Sequence, residues 1–179
     1  MPDTRALTAF RSTPLVLALL CTPLLRAGAA DPHTLRLTVR DAAGEAKTLV
    51  IGIGGDATAG FDAALGEAPV PPPPPLPLFD ARLLDPEGRK QYPFEASWVD
   101  IRPWRSTGQR DTFHVACQTG RMPVTVTWDV PEGFAERLTL VEVGKGVRTD
   151  MLRSGSALAG EAGGDSACRF LVIVERPRR

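Results

Sequence analysis

Hydrophobic and polar residues alternate along much of this chain with a period of two. His33 to Arg40 reads HTLRLTVR, with Leu35, Leu37 and Val39 set against Thr34, Arg36 and Thr38. One apolar and one polar face at that period predict a half-buried strand. Thr48 to Gly54 predicts a second. The intervening DAAGEAK has the Asp, Gly and small residues of a turn, so the two strands form a hairpin. Pro77 to Leu84 predicts a third strand, with Leu78, Asp80 and Arg82 on one side and Phe79, Ala81 and Leu83 on the other. Val124 to Trp128 is the cleanest alternation, Val124, Val126 and Trp128 against two threonines, and Arg137 to Val143 repeats it. Asp111 to Cys117 and Cys168 to Glu175 predict two more strands. Val147 to Met151 and Ala157-Leu158 predict short ones.

Tyr92 to Trp104 carries Phe94, Trp98, Ile101 and Trp104, interrupted by Pro93 and Pro103. Gly- and Pro-rich turns separate these runs. No segment has a helical period of adequate length, and Ala57 to Leu65 can supply a single turn at most. About eight short strands spaced about 8–12 residues apart predict an all-β fold, a two-sheet antiparallel β-sandwich of Ig or fibronectin type.

The stretch from Thr48 to Leu84 organises that fold. After the second strand comes a loop rich in glycine and acid, with Asp56, Asp62 and Glu67, and then five consecutive prolines, Pro71 to Pro75. A proline run is extended polyproline II, rising about 3.1 Å per residue. It has no amide hydrogens to give a ladder, so it cannot be an inner strand. Residues 54–77 are therefore expected to be a surface crossover, its rigid rod spanning from one sheet to the other.

Composition changes the picture in two places. The chain has 179 residues, 43% of them hydrophobic, enough for one domain plus a leader. Residues 1–30 have the order of a signal peptide: Arg5 and Arg11, an apolar run from Pro14 to Leu25, then Ala27-Gly28-Ala29-Ala30 for cleavage. The run is shorter than the roughly 20 residues that span a bilayer. Cys21 follows Leu20, where a lipidated cysteine takes a small neighbour. Residues 31–179 are then a single exported domain, secreted or periplasmic, with no membrane span. Two cysteines remain in it, Cys117 and Cys168, and an even count in an exported chain favours a disulfide. The formal net charge of zero gives nucleic-acid binding no support.

Candidate chemistry is sparse. Asp56, Asp62 and Glu67 offer oxygen ligands for Ca²⁺, although their spacing is not that of an EF-hand loop. The same acids can instead accept hydrogen bonds from loop amides and fix the turn. No other cofactor is expected. Asp111 and His114 with Ser97 or Ser106 contain the residue types of a hydrolytic triad, but no G-x-S-x-G elbow is present. Trp98 and Trp104 are the candidate ligand-binding rings, able to stack on a sugar, though Trp in a sandwich is more often core.

Several of these motifs occur in a recognisable order. Ile51-Gly52, Asp56-Ala57-Thr58, Gly60-Phe61-Asp62 and Gly66-Glu67 precede Pro71 to Pro75 and Phe79-Asp80-Ala81-Arg82. Asp100-Ile101-Arg102, Val124 to Trp128 and Asp150-Met151 follow. Over about residues 34–175 this resembles a β-sandwich module of secreted bacterial proteins, many of which carry a type IX secretion sorting tail. No such tail follows the closing strand in this sequence. The resemblance implies a non-catalytic extracellular β domain without assigned catalytic residues. The expectation is thus a structural or interaction module, its partner a protein or a cell-surface glycan. A carbohydrate-binding module and, less favoured, a small hydrolase are the alternatives.

Overall fold

Period-two alternation becomes two packed sheets in the computed structural model, which describes residues 31–86, 96–103, 110–132, 134, 136–160 and 166–176. The leader-like residues 1–30 lie outside the described residues. The strands are β1 (His33–Arg40), β2 (Ala46–Ile53), β3 (Asp80–Leu84), β4 (Ala96–Ser97), β5 (Val99–Arg102), β6 (Arg110–Gln118), β7 (Val124–Asp129), β8 (Arg137–Glu142), β9 (Arg148–Asp150), β10 (Ser156–Ala159) and β11 (Ala167–Glu175). Five of them form one sheet in the order β10-β7-β1-β2-β5. Six form the other in the order β4-β3-β6-β11-β8-β9. The fold is an all-β sandwich.

The apolar halves of the alternating strands meet between the sheets. Leu35, Leu37 and Val39 of β1, Leu49 and Ile51 of β2, Phe113 and Val115 of β6, Leu138 and Leu140 of β8, and Phe170 and Val172 of β11 are all buried in one core. Burying a side chain of this size contributes about 1.5–3 kcal/mol. Trp128 joins the same core, and its indole Nε1 donates to the Met151 carbonyl at 2.9 Å, so its one polar atom is satisfied. The hairpin turn is held by Asp41, whose Oδ1 accepts from the amides of Ala43 and Glu45 at 3.0 Å each. This is the role that an Asp opening such a turn is suited to.

Several features differ from the sequence expectation. There are eleven strands among the described residues, more than the eight expected, because the aromatic stretch yields β4 and β5 and the short runs yield β9 and β10. The sheets are not wholly antiparallel. β5 pairs in parallel with β2, Val50 against Val99 through Ile53 against Arg102. An Ig sandwich has seven to nine antiparallel strands, so both the count and the parallel pair depart from that type. The chain leaves β2 at Ile53, builds β3 and β4 in the other sheet and re-enters at the opposite end, beside Val50, so β5 runs in the same direction as β2. Close packing there needs Gly52, where a Cβ would lie 2.7 Å from Ile101 Cδ1.

The Cys117–Cys168 disulfide is formed, but it joins neighbouring strands of one sheet rather than the two layers. Cys168 of β11 stands directly opposite Cys117 of β6, with Cα atoms 5.3 Å apart. The layers are instead linked by an ionic group. Arg102 and Asp100 project from β5 into the interior, and Arg102 reaches β6. Its Nη2 lies 2.9 Å from Asp100 Oδ2 and its Nη1 donates to Thr112 O at 3.0 Å. Nη1 is also 3.9 Å from Asp111 Oδ1, and the guanidinium sits 4.0 Å above the Phe113 ring centre.

Candidate functional site

Strand alternation decides which side chains face outward from the six-stranded sheet. Ala81 and Leu83 of β3 and Val115 and Cys117 of β6 fill the core. Asp80 and Arg82 of β3, and Ala116 and Gln118 of β6, must then point to the outer face. The proline rod lies across that face. It was expected to bridge the two sheets; the 54–79 connection does change sheets, but the rod itself is laid over β3 and β6.

Two donors hold it. Arg82 Nη1 donates to Pro71 O at 2.8 Å and Gln118 Nε2 donates to Pro74 O at 2.5 Å. Polyproline II repeats every three residues, so the carbonyls of residues 71 and 74 fall on the same side of the rod. Adjacent strands supply the donors at a matching separation. Arg82 is itself fixed by Asp80, whose Oδ2 accepts from Nε at 2.6 Å with both side chains buried. At the far end the Gly120 amide donates to Pro77 O at 2.9 Å. A Cβ at position 120 would lie 2.5 Å from Pro77 Cβ, so only glycine permits this approach. Pro71, Pro72, Pro73 and Pro75 remain exposed.

Beside the strap runs a groove of about 500 Å³, floored by β3, β6 and β11 and bordered by the disulfide. Pro73, Leu84 and Val143 give it apolar walls, and Arg82 and Arg169 give it charge. Register explains its shape. Arg82 and Arg169 both stand opposite Ala116, one on each side, so a methyl group separates two guanidinium-bearing positions and leaves the space open. Val143 is 46% exposed. Arg169 forms no ion pair among the described residues, whereas Arg82 is paired with Asp80.

The residues singled out from sequence are scattered. Trp98 lies between β4 and β5 with its side chain exposed, and Lys47 Nζ sits 4.2 Å over its ring centre, capping one face. Trp104 and Ser106 lie outside the described residues. In the acidic loop, Asp62 Oδ2 accepts from the Thr58 amide at 2.6 Å. Glu67 is buried and accepts from the amides of Asp62 at 2.8 Å and Ile101 at 2.7 Å. Asp56 is exposed. Asp62 and Glu67 therefore bond the loop to itself, and Glu67 also bonds it to β5. Among the described residues no group of three or more His, Cys, Asp and Glu side chains is placed to hold a metal ion. Treatment with EDTA is expected to leave the melting temperature unchanged; a fall of several degrees would restore calcium to the loop.

The triad residues are also separated. His114 stands three positions after Asp111 on β6, so the two point to opposite faces, Asp111 inward toward Arg102 and His114 outward. Ser97 is buried and its Oγ donates to Val99 O at 2.6 Å. The groove residues Arg82, Gln118 and Arg169 were not candidates. Their one signal was position on the polar side of an alternating strand, which is the same pattern that a solvated face produces.

The chain matches no family model, no curated protein and no solved structure. Among the described residues no helix is long and apolar enough to cross a membrane.

Proposed function

We propose that the chain is a non-catalytic interaction module working outside the cytosol, and that a protein partner seats on the proline strap and the adjoining groove. The strap carries the reading. It is fastened to the sheet through Pro71 and Pro74, which leaves a stiff ridge of exposed prolines beside apolar walls and the Arg169 guanidinium, which has no ionic partner among the described residues. A preformed polyproline ridge loses little entropy on binding, which is why such ridges serve as recognition elements. The disulfide and the leader-like first thirty residues both fit a secreted or periplasmic protein. The resemblance to secreted bacterial β modules agrees with this reading and rests on the motif residues alone.

A photo-crosslinking side chain at Pro72 or at Val143 tests it in the producing cells. The same discrete adduct is expected from both positions, with none from Thr48 on the opposite sheet, and Arg169→Glu is expected to remove most of it. Adducts of equal yield from Thr48, or none from the strap and groove, would count against the surface. Trp98 favours a second reading, a carbohydrate-binding module, because its ring is exposed. A glycan array on which the parent chain binds no sugar removes that reading; binding lost in Trp98→Ala supports it.

A further inference from the structure

Each sheet of the sandwich has two edges, and among the described residues three of the four are capped or charged. At β4 the Val70 amide donates to Ala96 O at 3.3 Å, and Pro69 bridges to Ser97. At β5 the Ile101 amide is taken by Glu67 Oε1 at 2.7 Å, and Val99 O is taken by Ser97 Oγ at 2.6 Å. β9 reads Arg-Thr-Asp and places two charged, exposed residues on its edge. Side-chain caps and charges of this kind keep sheet edges from pairing with other chains.

β10 has neither. It reads Ser-Ala-Leu-Ala, with no charge and no proline, and Leu158 is 68% exposed. Its unpaired backbone groups can be identified. The Trp128 amide donates to Gly155 O at 3.1 Å, and Ser156 stands opposite Thr127. In an antiparallel ladder the hydrogen-bonded pairs alternate, so Ala157 and Ala159 bond to β7. The N–H and C=O of Ser156 and Leu158 therefore point away from the sheet, and none of them has a partner among the described residues.

We propose that this edge pairs with the same edge of a second copy of the chain. A two-fold axis through Ala157 sets Ser156 of one copy against Leu158 of the other, twice. All four outward N–H and C=O pairs then bond reciprocally, in an isologous contact that closes at two copies. The central Ala157–Ala157 pair is of the closer, non-hydrogen-bonded kind, where Cα atoms come within about 4.5 Å, and alanine fits there without crowding. The β9 edge cannot pair in the same way, because the Asp150 carbonyl already accepts from the amides of Arg153 and Ser154 at 3.2 Å each. Four residues a side make a small contact, so the dimer belongs to the weak, reversible class.

Sedimentation of the chain from low micromolar to near-millimolar concentration, with hydrogen exchange on the same samples, tests the pairing. The mass is expected to rise toward twice that of the monomer. The Ser156 and Leu158 amides are expected to become protected as it does, while those of Ala157 and Ala159 stay constant. Leu158→Pro removes one outward N–H per copy and leaves the ladder to β7 intact. It is expected to lower the association constant by at least about tenfold. Leu158→Lys, which sets like charges diagonally across the junction, is expected to do the same. Unchanged circular dichroism and melting temperature at low concentration show that both variants fold. A wild-type chain of monomer mass throughout overturns the proposal, as do variants that dimerise as well as the parent. Protection of Ser156 and Leu158 that appears only on adding an extended peptide of another sequence assigns the edge to a different strand and also overturns it.

Discussion

Replacing both cysteines, Cys117→Ala with Cys168→Ala, is expected to lower the unfolding free energy by about 4 kcal/mol. The two residues are 51 positions apart in sequence. Opening a closed loop of that length restores that much chain entropy to the unfolded state at 25 °C in the loop-entropy treatment. The folded state loses little by comparison, since β6 and β11 remain paired from Ala167–Gln118 to Glu175–Arg110 with or without the bond. The effect should therefore appear as a lower midpoint in urea, with strand content by circular dichroism unchanged in the absence of denaturant. Reduction of the wild-type chain should reproduce it. A loss below about 1 kcal/mol would mean that the unfolded chain keeps the two strands close without the bond.

Arg102→Met is expected to cost about 3–5 kcal/mol, because it takes the guanidinium away from the buried carboxylates of Asp100 and Asp111. Arg102 and Asp100 have side chains 5% exposed and Asp111 has one 11% exposed, so water cannot replace the guanidinium. Arg102→Lys keeps the charge but not the fork. One ammonium cannot reach Asp100, Thr112 O and the face of Phe113 together, so a smaller loss is expected. The triple variant Asp100→Asn, Arg102→Met, Asp111→Asn is expected to recover part of the loss, since a buried ion group can often be exchanged for neutral residues at little cost. Urea unfolding of the three proteins gives the order. An Arg102→Met chain as stable as the parent would show that the group does not join the layers energetically.

Much of the fold was legible because strands write their own burial into sequence. Leu35, Leu37 and Val39 alternate with polar residues, and all three are core. Val124, Val126 and Trp128 do the same. On β3 the split of Ala81 and Leu83 from Asp80 and Arg82 predicted both faces. The disulfide followed from counting cysteines in a chain whose first thirty residues read as a leader. The acidic loop was readable as a hydrogen-bonded turn, since Asp62 and Glu67 accept loop amides as such residues do. β4, β5, β9 and β10 were harder to read because runs of two to four residues barely express a period.

The candidate site was not legible. Arg82, Gln118 and Arg169 look like solvated positions until Pro71 to Pro75 is laid over the first two and a groove opens beside the third. Asp111 and His114 look like partners because they are close in sequence, yet a separation of three on a strand sends them to opposite faces.

Local alternation and turn chemistry, read by themselves, determined that this is an all-β sandwich and which residues form its core. Those properties depend on neighbours one or two positions away and on the avoidance of water by apolar groups. Tertiary structure alone decided the strand order, the parallel β2–β5 pair, the resting place of the proline strap, the bridge from Arg102 to β6 and the edge at β10 that stays uncapped among the described residues. Only β1–β2, β3–β4 and β8–β9 follow each other within one sheet. Every other connection changes layers, so these features arise between residues far apart in the chain, where no periodicity records which partner will be met.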